Sequence, residues 1–164
     1  SVVCSSDLAK EGSRYPADET AIAAMLAAEE GICLHSLAPF EAFRQRVFAH
    51  REKLLATLAS ISAQGARVLG YGASTKGNVI LQFCGITPAQ IPFTAEVNAD
   101  KIGKFTPGTG IPIISEADAH AMNPDYLLVM PWHFRENLLQ REAAYLQRGG
   151  RMIFPLPQIE IAGQ

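Results

Sequence analysis

From Arg67 onward, short apolar runs alternate with helical patterns at a spacing that leaves few topologies open. Arg67-Val68-Leu69-Gly70-Tyr71-Gly72 reads as a strand, Lys76 to Gly85 as a helix, and Phe93-Thr94-Ala95-Glu96-Val97 as a second strand. A polar loop from Asn98 to Gly110 follows, then Ile111-Pro112-Ile113-Ile114 and a short helix from Ser115 to Met122. Tyr126 to Met130 reads as the next strand, Trp132 to Gln147 as one helix, and Arg151 to Phe154 as a strand after the Gly149-Gly150 turn. Strands separated by helices must cross over, and crossovers are right-handed, so the expectation is an α/β fold. Residues 66–164 should form a Rossmann-like, mostly parallel sheet with helices on both faces.

Two helices should precede this core. Pro16 to Glu30 is rich in alanine, carries Asp18 and Glu19 where a helix start favours negative charge, and stops at Gly31. Pro39 opens a longer pattern in which Phe40, Phe43, Val47, Leu54, Leu58 and Ile61 recur at helical spacing until Gly65. Such a stripe is core packing or a partner face. The expected organisation is one domain over residues 1–164, with a helical segment, 1–65, packing on the core.

Composition excludes several partner classes. Fourteen basic and 16 acidic residues leave a net charge of −2, which offers no footprint for nucleic acid or an anionic membrane. No apolar run reaches the roughly 18 residues of a membrane span. Cys4, Cys33 and Cys84 are dispersed among small or apolar residues and form no CxxC pair. They read as reduced thiols of a cytoplasmic protein, with no metal site among them. The chain begins Ser-Val-Val-Cys, without Met or a signal peptide, and reads as part of a longer polypeptide.

Ligands of open α/β sheets bind outside the carboxyl ends of the strands, which directs attention to three loops. In Gly70-Tyr71-Gly72-Ala73-Ser74-Thr75-Lys76-Gly77-Asn78, glycines and a helix start could cradle a diphosphate, with Ser74, Thr75 and Lys76 as donors. The same loop could equally be a bare tight turn. Gly77 falls two places late for GxGxxG, and the order is not that of a P-loop. Glu96 stands where such folds place the acid that bonds a ribose diol, followed by Asn98, Asp100, Lys101, Lys104, Thr106 and Thr109 among turn formers. A solvated rim would show the same residues. In Met130-Pro131-Trp132-His133-Phe134-Arg135, Trp132 could stack on a base or anchor packing. His133 could donate to a phosphate or cap a helix, and Arg135 could pair with a diphosphate. Phe154-Pro155-Leu156-Pro157-Gln158 either lines the same edge or ends a strand.

Read together, Gly-Tyr-Gly-Ala-Ser-Thr-Lys-Gly-Asn, Glu96-Val-Asn-Ala-Asp-Lys, Gly103-Lys-Phe-Thr-Pro-Gly-Thr-Gly-Ile-Pro-Ile, Pro131-Trp-His-Phe-Arg and Phe154-Pro-Leu-Pro resemble the C-terminal domain of sugar C-methyltransferases. The resemblance covers nearly the whole chain. It implies a nucleotide-linked deoxysugar as substrate and methylation of a carbon beside a keto group, through an enolate that attacks the methyl group of S-adenosylmethionine. It further implies partner domains in the same polypeptide, one binding zinc and one binding S-adenosylmethionine, with the sugar nucleotide between the middle and C-terminal domains. Carried over, Gly72, Ser74, Thr75, Lys76 and Asn78 would hold the diphosphate. Glu96, Asn98, Lys101, Lys104 and Thr106 would contact nucleoside or sugar, and Trp132, His133 and Arg135 would complete the wall. The chain has neither the cysteine-rich zinc segment nor the acidic-Gly-x-Gly-x-Gly cofactor loop of that family. No cofactor is therefore expected in this chain, and the fragment alone should be inactive. An NAD(P)-binding oxidoreductase domain and a non-catalytic docking module are the alternatives.

Overall fold

A computed structural model describes residues 11–163; Cys4 lies outside them. Two compact units divide the chain between Gln45 and Arg46. The first holds α1 (Glu19–Gly31) and the start of α2 (Ala38–Ala63). Asp18 caps α1 by accepting from the Ala21 amide at 3.0 Å, so the acidic pair read at this helix start includes its N-cap. None of the α1 residues is buried.

The second unit carries the sheet. Strands β1 (Val68–Tyr71), β2 (Thr94–Glu96), β3 (Ile113–Ser115), β4 (Tyr126–Val129), β5 (Arg151–Phe154) and β6 (Glu160–Ala162) lie in the order β3-β2-β1-β4-β5-β6. All neighbours pair in parallel except β5 and β6. The chain builds outward from β1 to β3 and then returns to start β4 on the other side. The β1/β4 boundary is therefore the point where crossover direction reverses, the place where such sheets open a crevice.

Strand alternation divides the core into two layers. Val68, Leu128 and Ile153 face one way and pack with Leu54, Leu58 and Ile61 of α2 and Leu81 of α3 (Thr75–Cys84). Leu69, Tyr71, Val129 and Phe154 face the other way, against Ala119 of α4 (Glu116–Ala121), Leu138 of α5 (Arg135–Arg141) and Tyr145 of α6 (Ala143–Gln147). Both faces are covered, as the strand pattern predicts. Each fully buried aliphatic side chain contributes about 2 kcal/mol. Burial pushes the Cys84 thiol above its ordinary pKa, against a smaller opposing pull from Arg51.

Two elements differ from the sequence expectation. The helix expected over Trp132–Gln147 is a 3-10 turn at Trp132–Phe134 followed by α5 and α6, which separate at Glu142 (φ −93°, ψ 16°). The break accompanies the burial of the Glu142 carboxylate, whose partners lie across the layer on β1 and α4. Beyond Phe154 the prolines do redirect the chain, but it turns back as β6 along β5. Three residues with little burial give too short a pattern to read as a strand.

Candidate functional site

A cleft of about 270 Å³ opens at the carboxyl ends of β1, β2 and β4. Gly72 makes the turn that forms its floor: its φ is +81°, and a Cβ there would stand 2.8 Å from the Pro131 ring. Ser74 then caps α3, its hydroxyl accepting from the Gly77 amide at 3.0 Å. A Cβ at Gly77 would lie 2.4 Å from the Met130 Cβ, so glycine lets the first turn of α3 sit directly on the end of β4.

On one wall, Glu96 is 8% exposed and accepts four hydrogen bonds. The Val97 and Asn98 amides donate to Oε1 at 2.8 and 3.1 Å, and the Ala73 amide and Lys101 Nζ donate to Oε2 at 3.0 and 3.2 Å. Lys101 also donates to the Ala73 carbonyl at 2.8 Å. Burial alone would raise the Glu96 pKa, but the amides of Asn98 and Val97 together with the Lys101 ammonium outweigh it and hold the carboxyl below its ordinary range. A carboxylate has about four acceptor positions, and protein donors fill all of them. Glu96 is thus a clamp that ties the β2 loop to the glycine loop.

The opposite wall holds a second polar group, built from long-range contacts. The buried phenol of Tyr71 bonds Glu116 Oε1 at 2.5 Å and Glu142 Oε1 at 2.6 Å. His120 Nε2 lies 3.0 Å from Glu142 Oε2, and Arg141 pairs with Glu116 Oε2. Burial first, then the two carboxylates, push the Tyr71 pKa upward, so the phenol keeps its proton. Glu116, His120 and Glu142 each offer a possible metal ligand within 4.8 Å of the others. The phenol already bridges the two acids there, and Arg141 supplies a positive charge.

The residues expected from sequence separate into groups. Gly72, Ser74, Glu96 and Lys101 line the cleft. Thr75 and Lys76 are exposed on the first turn of α3, and Asn78 is half-buried on the next, its Oδ1 without a partner among the described residues. Asn98 accepts from the Asp100 amide at 2.9 Å, and Lys104 is exposed. Thr106 is buried inside its own loop, bonded to Thr109 and to the Ile111 amide. Trp132 is half-buried against the core layer beneath, and His133 is exposed with its ring 4.2 Å from that of Phe134. Arg135 pairs with Glu136 and Glu160 and lies over the Phe154 ring. Phe134, rather than Trp132 or His133, reaches the cleft from this loop. Tyr71, Glu116, Leu138 and Arg141 also line it and were not singled out from sequence. The signal available for Tyr71 was its inward position on a strand that ends at the glycine turn.

Residues 4–157 match the C-methyltransferase C-terminal domain family. Over 138 residues, 84% of this chain, the sequence is 34% identical to the C-methyltransferase NovU of Streptomyces niveus. That match covers 33% of the relative, so the chain spans about a third of its length. Among the described residues no helix is long and apolar enough to cross a membrane.

Proposed function

The chain belongs to the C-methyltransferase C-terminal domain family, and from that premise we propose that it binds the nucleotide-linked deoxysugar substrate of a cytoplasmic, S-adenosylmethionine-dependent methyltransferase. The observation that carries this reading is the cleft at the β1/β4 crossover reversal, placed at the start of α3. There the Ser74 cap, the first-turn amides and the exposed Lys76 provide donors and positive charge for a diphosphate. Lys101 and Arg141, each about 44% exposed, add cationic groups near the sugar end. Apolar Phe134 and Leu138 give a face for the ring of a base or deoxysugar.

S-adenosylmethionine supplies the methyl group, and on this reading another domain of a longer polypeptide holds it. The cleft of this chain fits that cofactor poorly, because the acid placed to take a ribose diol, Glu96, has every acceptor position filled by protein. The same saturation weighs against a nicotinamide-binding domain. This chain's part is to bind and orient the substrate, and transfer of the methyl group requires the rest of the enzyme.

Thermal-shift titration of the chain with thymidine diphosphate and the other nucleoside diphosphates tests the reading. Saturable stabilisation is expected, since a ligand at about 100 times its Kd adds about 2.7 kcal/mol, and Lys76→Ala should diminish it. Absence of stabilisation by every nucleoside diphosphate would refute diphosphate binding by this domain.

A further inference from the structure

The phenol of Tyr71 holds Arg141 in two ways. One contact, at 2.5 Å, fixes Glu116 Oε1, and the other oxygen of Glu116 pairs with the Arg141 guanidinium. The second contact, at 2.6 Å, fixes Glu142, the residue that follows Arg141 at the break between α5 and α6. Tyr71 and Glu142 are 4% and 5% exposed, so both tethers are anchored in the core. A long side chain at a helix end ordinarily samples many rotamers, and tethering removes that freedom before a ligand arrives.

Held this way, Arg141 still lines the cleft, with 44% of its side chain exposed. Beyond the Glu116 contact its guanidinium has no protein partner among the described residues. The other cations are more engaged: Lys101 donates to Glu96 and to the Ala73 carbonyl, and Arg135 pairs with Glu136 and Glu160. Leu138, one turn before Arg141 on the same face of α5, also lines the cleft, as does Phe134. Apolar surface beside a planar donor fork suits a sugar, whose ring carbons pack on the first while its oxygens bond to the second. The neighbouring carboxylate favours a hydroxyl over a phosphate. A hydroxyl can accept from Arg141 and donate to Glu116, whereas a phosphate only accepts and would meet like charge.

We propose that Arg141 reads the sugar of the ligand, its guanidinium bonding oxygens on two adjacent ring carbons, and that Tyr71, Glu116 and Glu142 are positioning residues behind it. This rests on the nucleotide-sugar reading above and adds the residue that distinguishes a sugar nucleotide from a bare nucleoside diphosphate. The start of α3 with Lys76 serves the diphosphate, and Arg141 serves the group beyond it. Lysine would carry the same charge but could not present two parallel donors, so the site depends on the fork as well as the charge.

Calorimetric titration of the chain with thymidine diphosphate and thymidine diphosphoglucose, and with the uridine pair alongside, tests the proposal. The quantity read is the ratio of the dissociation constants within a pair. Arg141→Lys should weaken the glucose ester about tenfold more than the bare diphosphate, the size of one lost charge-assisted hydrogen bond. Glu116→Gln and Tyr71→Phe should move the ratio the same way by a smaller factor, about threefold. A purely structural role would lower the unfolding midpoint and weaken both compounds alike, leaving the ratio in place. Three results would overturn the proposal while leaving the diphosphate site standing: glucose esters that fail to bind where the bare diphosphates do, a ratio that Arg141→Lys leaves in place or moves the other way, or a ratio indifferent to both Glu116→Gln and Tyr71→Phe. Failure of the parent to bind any of the four compounds would overturn the nucleotide-sugar reading itself, and the proposal with it.

Discussion

Glu96 and Glu142 are both acids with less than a tenth of their surface exposed, one beside the cleft and one behind it, and the fold holds them in opposite ways. Glu96 has donors in full supply: three backbone amides and an ammonium, all but one from the five residues that follow it. Glu142 has a phenol that must also serve Glu116 and an imidazole nitrogen 3.0 Å away. The first arrangement fixes a charge and closes a loop. The second joins β1 and α4 to the α5–α6 break through contacts between distant parts of the chain. A carboxylate surrounded by donors from its own loop closes that loop, whereas one whose partners come from distant elements joins layers of the fold.

Removing the tie should have the largest effect on folding. Glu96→Ala leaves three amides and the Lys101 ammonium without their common acceptor, and about 2–4 kcal/mol of stability should be lost. The Coulomb part is discounted because Lys101 is half exposed. Urea unfolding would measure it, and a loss within experimental error of zero would show that solvent can replace the clamp. Tyr71→Phe should cost less, about 1–3 kcal/mol, because Glu116 keeps Arg141 and Glu142 keeps His120. A Tyr71→Phe protein less stable than Glu96→Ala would reverse the comparison and make the phenol the stronger tie.

The same contrast explains what the sequence could disclose. Glu96 was legible because its strand-end position has a meaning in this fold class and its donors follow at once. In the folded chain it is an internal acceptor, because Lys101 and the Ala73 amide converge on it. The sheet was legible from strand spacing, apart from β6, whose three residues carry no alternation. The Tyr71 group was hidden. Its partners lie 45 and 71 residues away, and nothing in the helical pattern of 132–147 marks Glu142 as the point where the helix breaks inward. Arg135 illustrates the converse: it stands in a promising loop, but Glu136 of α5 and Glu160 of β6 engage it, and β6 could not be anticipated.

The smallest effect, and the one that most directly separates the two acids, concerns acid pH. Glu96 has a folded-state pKa below that of the unfolded chain, near 4.3. Its stabilising contribution is therefore fully present above the unfolded value and is lost as pH falls through the folded one. Glu96→Gln should be less stable than the parent at neutral pH, because an amide nitrogen would face donors. The gap should narrow steadily once the pH drops below about 4.3, as the parent's own carboxyl takes up a proton. Urea midpoints measured from neutral pH to pH 3 would reveal the convergence. Parallel curves over that interval would mean that Glu96 does not titrate with folding, and that its donors hold it by shape rather than by charge.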